Sequence, residues 1–452
     1  MPADAGDTSE QTRGVRDESD HPTRPWEVLA RHGNFRKLFL GNSISLLGSS
    51  VTTVALPLTS VVYLHASPTQ MGLLGAMGLL PHLVLGLPAG IWADRVPYRR
   101  ILTITDFAQT LVLGSVPILA TCGLLRMWHL YAVVLFAGVA NLFETIAAQS
   151  FTPLLVPREE LLPANSALML SNAAVNTTGS ALGGLLVTVL SAPMAVAVDA
   201  LSFLVSGMCK ASIRHSGRIA DSVTTRDLSL RTDILEGLRA VFSHRILRAV
   251  ILAAAIGAFA GQLQAVVLVL FFVRDLHLAS GLVGAAIAVS GVAGILGATM
   301  ATGFTRRVGT GRAFISGVLV ASFGGLVAAA AVGPSPMSLS ILLLAQVLRG
   351  IGPSMYGVNQ QTLRQAVIAP SLLSRANATW RFVVFGGQSL GALAGGMSGS
   401  VLGLRATLIA SGCMMLVGAS TAIASPLRSL RELPARQVLD EKSTAQRPTW
   451  IR

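Results

Sequence analysis

The chain has 452 residues, of which 52% are hydrophobic and only 12% charged, and its mean hydropathy is +0.64. Soluble domains carry about 25% charged residues, so this composition excludes an ordinary globular enzyme and places the chain in a lipid bilayer. The formal net charge of +13 does not indicate a nucleic-acid partner: such binders gather their arginines on one soluble face, whereas here they fall in short clusters between apolar runs.

Residues 1–30 carry seven of the 21 acids and lack the basic-then-apolar order of a secretory signal, so they are expected to form a cytoplasmic tail. A helix needs about 20 apolar residues to cross a bilayer core. Twelve windows qualify: 37–63, 69–92, 101–124, 128–153, 165–190, 193–212, 248–273, 281–303, 313–333, 337–361, 377–402 and 405–426. Lysine and arginine concentrate in cytoplasmic loops. With the N-terminus inside, the external connections hold only Arg126, Arg274 and Arg405 of the 34 basic residues, so both termini are expected in the cytoplasm. The expected domains are six spans in 31–212, a cytoplasmic linker at 213–247 with an amphipathic helix from Asp227 to Phe242, six more spans in 248–427, and a tail at 428–452.

Sliding the chain by 212 residues superposes its halves without a gap between His32 and Gly184. His32, Arg36, His65, Gly72, Arg95, Arg100, Asn165 and Gly184 then meet His244, Arg248, His277, Gly284, Arg307, Arg312, Asn377 and Gly396. Polar matches at a single offset do not arise by chance in so apolar a chain. Six is an even number, so the copies insert with the same orientation, as a parallel repeat about an axis along the membrane normal with a site at the midplane. The expected fold class is therefore all-α integral membrane, twelve transmembrane helices in two parallel-repeat six-helix bundles.

Between the second and third windows, Gly90-Ile91-Trp92-Ala93-Asp94-Arg95-Val96-Pro97-Tyr98-Arg99-Arg100 sets Asp94 among Arg95, Arg99 and Arg100 in a tight turn. Its degraded copy, Phe304 to Arg312, keeps Arg306, Arg307 and Arg312. A pure topology signal has no use for the acid, so the two loops are expected to gate the cytoplasmic side.

Over roughly residues 31–426 these features resemble the major facilitator superfamily, whose signature loop Gly90 to Arg100 is similar to. Three further stretches are most similar to its drug:proton antiporter branch, which includes macrolide efflux proteins and the enterobactin exporter. They are Phe35-Arg36-Lys37-Leu38-Phe39, the run from Phe151 to Pro157 continuing into Pro163-Ala164-Asn165, and Val198-Asp199-Ala200-Leu201-Ser202-Phe203. The resemblance implies proton-coupled efflux of small amphipathic molecules (drug, antibiotic or siderophore-like) by alternating access, with Asp94 as the latch. Pro97-Tyr98 stands where the signature usually has a glycine, which stiffens the turn. The resemblance also implies a multi-pass protein of the bacterial cytoplasmic membrane, working as a monomer, with a small-molecule substrate, protons and the lipid bilayer as partners.

Acids inside apolar spans cost several kcal/mol unless paired or wet, and beyond Asp94 only Asp106, Glu144 and Asp199 qualify as proton-coupling candidates. Glu144 has Asn141 one turn away on the same face, and the resemblance puts it beside the substrate path, where a carboxylate suits a proton carrier. Asp106, little more than a turn inside the third span, is expected to pair with Arg95, Arg99 or Arg100. Asp199 has no sequence-local basic partner. Arg349 maps by the repeat to Ala137 and Glu144 to Tyr356, which leaves an Arg349–Glu144 bridge open. Asn42, Asn141, Glu144, Asn172, Asn176, Gln262, Arg349, Tyr356 and Gln388 are substrate-cavity candidates, though amides equally glue helices together.

No catalytic set emerges, so no enzyme activity is expected. The chain has no GxxxxGK[ST] loop, GxSxG elbow or HExxH pair, and its histidines and three cysteines show no metal spacing; no cofactor and no metal are expected. Two alternatives remain open: uptake or facilitated transport of a small nutrient, and a binding or sensing protein that keeps a transporter fold.

Overall fold

The computed structural model describes residues 25–86, 88–93, 95–214, 239, 242, 244–368 and 370–430. Every regular element among them is helical. A short helix α1 (Pro25–Arg31) precedes α2 (Gly33–Leu58), which runs on through a π turn at Thr59–Tyr63. Next come α3 (Pro68–Val84), α4 (Pro88–Ala93), α5 (Tyr98–Thr121), α6 (Met127–Phe151), α7 (Leu161–Leu190) and α8 (Ala192–Ala211). Further along the chain stand α9 (Arg245–Leu270), with a π turn at Phe271–Asp275, α10 (Ser280–Val308), α11 (Thr310–Ala329), α12 (Pro336–Val367), α13 (Pro370–Val401) and α14 (Leu404–Ile423).

Nine of the described helices are long and apolar enough to cross a membrane, while three of the twelve expected windows, 69–92, 165–190 and 377–402, fall in less apolar or divided helices. Window 69–92 divides into α3 and α4, because the chain turns at Leu85 and Gly86 and restarts at Pro88, a residue with no N–H for a continuing helix. Window 165–190 lies within α7, and window 377–402 within α13 as far as Val401, but they carry Asn172 and Thr178, and Asn377, Arg381 and Gln388, among their apolar residues. The amphipathic helix expected from Asp227 to Phe242 lies almost wholly outside the described residues.

The 212-residue offset reappears in the backbone. α9 and its π turn begin and end 212 residues after α2 and its π turn, and α14 stands at the same offset from α8. His65 and His277 both adopt left-handed backbone, at φ 52° and 51°. Ser191 (φ 84°, ψ 157°) matches Gly403 (φ 87°, ψ 161°) at the start of α8 and α14. That backbone region is essentially reserved for glycine, so a serine holds it only because its surroundings dictate the turn.

α3 packs along α13, and α7 along α10. Apolar side chains gain little by pairing in lipid, so close approach of small residues supplies the packing. A methyl group added at Gly184 would come within 2.6 Å of Gly284 Cα, and one at Gly396 within 2.8 Å of Gly72 Cα. These pairs are each other's images under the offset, and both sit toward the end that carries His65 and His277. There Arg274 also donates from Nη2 to the Ala66 carbonyl at 2.8 Å.

The apolar core follows the same division. At that end one continuous cluster joins residues of both halves, among them Val54, Leu58, Val187, Phe271, Phe272 and Leu408. At the opposite, arginine-rich end the core splits. One cluster holds Leu38, Tyr98, Leu102 and Phe151, and another holds Leu247, Phe314, Leu363 and Trp380. The halves are joined at one end and separately packed at the other.

Candidate functional site

Three helices of the first half converge on a buried charge cluster. α5 offers Asp106 and Gln109, one turn apart on the same face; α6 offers Glu144; α8 offers Ser206 and Lys210, at i and i+4. Lys210 Nζ lies 3.0 Å from Asp106 Oδ1 and 2.8 Å from Glu144 Oε1. Ser206 Oγ donates to Asp106 Oδ2 at 2.6 Å, and Gln109 Nε2 donates to Glu144 Oε2 at 3.0 Å. The side chains of Lys210 and Asp106 are fully buried, while that of Glu144 stays 13% exposed. Asp106 therefore pairs with Lys210, not with Arg95, Arg99 or Arg100. The reason is geometric: the turn arginines sit at the helix ends, whereas Lys210 reaches down from the last turn of α8 into the packed interior.

Two carboxylates sharing one ammonium leave a net charge of −1 when all three are ionised, and one added proton makes the group neutral. The second half supplies an internal comparison. At the positions offset by 212 from Asp106, Gln109, Glu144, Ser206 and Lys210 stand Val318, Ala321, Tyr356, Gly418 and Ala422. Val318 and Ala422 are buried in an apolar cluster, and Ala321 in another. The architecture thus packs without charge at these points. Buried ion pairs seldom add net stability over apolar residues of similar volume, so packing alone does not account for this one.

Two cavities adjoin the cluster. The larger, about 590 Å³, lies between the halves and is lined by Ser49, Thr52, His82, Gln109, Asn141, Asp199, Gln262 and Arg349 among others. The second, about 360 Å³, is lined by Asn42, Asn141, Glu144, Asn165 and Asn172. Asn141 borders both, and Glu144 lines the smaller, polar recess beside the central space.

The structure brings only some of the candidates together. Asp199 is buried beside the larger cavity, accepts a hydrogen bond from Ser202 Oγ at 3.2 Å and makes no ion pair among the described residues. Arg349 donates from Nη1 to Gln346 Oε1 at 2.9 Å, so the Arg349–Glu144 bridge is not formed. Tyr356 packs edge-on to Phe314, with ring centroids 6.1 Å apart, and does not line the larger cavity. Asn172 spends its amide on the Leu168 carbonyl of its own helix. Gln388 is half-buried on α13, away from the two cavities' linings. The side chain of Asn176 lies outside the described residues, as does Asp94.

Of the turn arginines, Arg95, Arg100, Arg306, Arg307 and Arg312 are exposed. Arg99 is tied down: its Nη2 donates to the Ala211 carbonyl at 2.6 Å, capping the C-terminus of α8, where unpaired carbonyls and the helix dipole favour a cation. Among the described residues no group of three or more His, Cys, Asp or Glu side chains is placed to hold a metal ion.

Sequence reasoning missed Lys210, Gln109 and Ser206. A signal existed, since Lys210 is one of only three lysines and falls inside the window 193–212.

Helices arranged in this way around a central cavity define a membrane transporter. The nucleoside transporter NupG has the same fold, with a TM-score of 0.73 at 13% identity, covering 86% of this chain and 98% of that one. The chain belongs to the transmembrane secretion effector family of the major facilitator superfamily, whose model matches residues 23–446. It is 25% identical to the multidrug efflux pump Tap of Mycolicibacterium fortuitum over 402 residues, which cover 85% of this chain and 93% of Tap. It is 24% identical to macrolide efflux protein A of Streptococcus pyogenes over 221 residues, 48% of this chain and 53% of that protein.

Proposed function

We propose that the protein is a proton-driven exporter of small amphipathic molecules in the bacterial cytoplasmic membrane, working by alternating access. The observation that carries the reading is the Asp106–Lys210–Glu144 cluster beside the central cavity, set against the apolar residues at the matching positions of the second half. The two halves are taken as six-span bundles, residues 31–212 and 248–427, with three of the spans less apolar than the rest because they line the cavities. The arginine-rich end faces the cytoplasm. The shared apolar core at the other end and the split cores here support an inward-open state.

In that state Glu144 meets the cavity while Asp106 stays sealed against Lys210. A proton and a donor group of the substrate compete for Glu144. When Glu144 is ionised, Lys210 is drawn between two carboxylates and the recess keeps one net negative charge; when it is protonated, Lys210 falls back to Asp106 alone and the pull on substrate is lost. Inward proton flow then drives export, with about 2.3 kcal/mol per charge for each 100 mV of potential. Asp94 and the arginines of the two turns close the cytoplasmic side in the opposite state, and Gly72, Gly184, Gly284 and Gly396 separate.

The test is accumulation of candidate drugs in inverted membrane vesicles, energised and de-energised, by wild type and Glu144→Gln. Gradient-dependent accumulation that the substitution abolishes is expected. Accumulation indifferent to the gradient, or to the substitution, refutes the mechanism.

A further inference from the structure

The two halves divide their charges unequally. From His244 to Leu430 the sequence holds twelve arginines and a single acid, Asp275, and that acid sits at the far end of α9, next to Arg274. The other arginines in the helices of the second half, buried or exposed, therefore have no carboxylate of their own half within reach. Arg349 satisfies itself on Gln346. Arg381 does not: among the described residues it makes no ion pair, and its exposed side chain lines a recess of about 170 Å³ in the seam between α3 and α13.

The same recess is lined by His82 from the first half and by Asn377. His82 also borders the 590 Å³ cavity, so the recess and the central cavity share one wall. His82 Nδ1 and Asn377 Oδ1 are buried without a hydrogen-bond partner, and nearby Arg364, which lies 4.9 Å over the Trp380 ring, leaves its Nε unpartnered as well. Arg381 is within electrostatic range of both His82 and Arg364. Buried polar groups without partners cost about 1–3 kcal/mol each, and like charges facing one another add to that. An anion beside Arg381 would relieve the like-charge contact and accept a hydrogen bond from His82 in the tautomer protonated at Nδ1, while Asn377 Oδ1, itself an acceptor, would need a donor group on the same ligand. Phe385, whose ring lies 4.8 Å from that of His82, and Phe382 supply an apolar wall beside it.

We infer that the seam recess formed by Arg381 and His82 is an anion subsite, which holds the carboxylate, sulfonate or phosphate of an amphiphile whose apolar body lies in the central cavity. The inference rests on the transporter reading and adds a substrate class to it: the second half reads an anionic end, while Glu144 in the first half meets a hydrogen-bond donor elsewhere on the same molecule. A planar guanidinium suits such groups because it offers paired N–H donors to two oxygens. The anion's source is either a solute or the headgroup of an inner-leaflet lipid.

The test is a binding titration, so it stands apart from proton-driven transport. The full-length protein in phosphatidylcholine nanodiscs is titrated with 1-anilinonaphthalene-8-sulfonate and with N-phenyl-1-naphthylamine, which has the same rings without the sulfonate. Empty discs supply the background. Arg381→Gln is expected to weaken the sulfonate probe about tenfold, the loss of one charge-assisted contact, and to leave the neutral probe within about twofold. Arg381→Lys restores part of the difference. Equal loss for both probes, or none for the sulfonate, overturns the inference. Repeating the titration with phosphatidylglycerol in the discs separates the sources. Competition that disappears in Arg381→Gln supports a lipid headgroup as occupant, and Arg381-dependent binding without competition supports a solute.

Discussion

Lys210→Ala is the most informative single change in this protein. Lys210 is fully buried and touches two carboxylates at 2.8 and 3.0 Å, so its removal leaves Asp106 enclosed with Ser206 as its only described donor. Breaking a buried pair from one side costs about 3–5 kcal/mol. Removing Asp106 as well lifts most of that penalty. The double variant Asp106→Val with Lys210→Ala copies Val318 and Ala422, which this fold already packs at the matching points. Glu144 alone remains, held by Gln109 and partly wet. The expected coupling energy between the two substitutions is therefore large, about 3 kcal/mol, where independent sites add within about 0.5 kcal/mol. Thermal unfolding in detergent, followed by tryptophan fluorescence, measures all four corners of the cycle. The single variant is expected to melt roughly 5 °C low and the double variant near wild type. Additive losses would refute the argument that packing alone does not account for the cluster.

Further outcomes follow from other contacts. Ser191→Gly, which copies Gly403 in the same backbone region, is expected to stabilise the protein by about 1 kcal/mol; an unchanged or lowered melting temperature contradicts the strain argument. Gly184→Val places a side chain against Gly284 and should hold the seam apart. In a background lacking native cysteines, a cysteine at Ser290, which lines the central cavity, should then react faster with an impermeant maleimide added from outside. Unchanged labelling would count against closure at that end. Arg99→Ala frees the Ala211 carbonyl and is expected to cost about 1–2 kcal/mol with little change in transport affinity, whereas Asp94→Asn should slow turnover more than it weakens binding. Equal effects of both changes on turnover would remove the distinction between cap and latch.

Much of the architecture was legible before any coordinates. The helices fall on the apolar windows, and the repeat offset read from scattered His, Arg and Gly matches is the offset of helix ends and of unusual backbone angles. The alternation of apolar run and basic turn is a local signal, and a bilayer enforces it. The site was less legible, because partner choice depends on how helices 35 to 104 residues apart are rotated. Asp106 was matched to the arginines nearest in sequence, while its partner is Lys210 on another helix. Tyr356 stood out as the repeat mate of Glu144, yet the second half uses that position for packing against Phe314. Glu144 was singled out as an acid inside an apolar span, and its relation to Asn141 on one face of one helix is one that sequence does encode.

The central claim is that protons and substrate take turns at Glu144. Its most direct measurement is drug-induced proton release from energised inverted vesicles, in which an acid interior is reported by a quenched acridine dye. Adding a transported compound should restore fluorescence in wild-type vesicles and leave Glu144→Gln vesicles quenched. Recovery of equal size in the variant, or accumulation of the compound by wild type with no proton movement, would contradict the account.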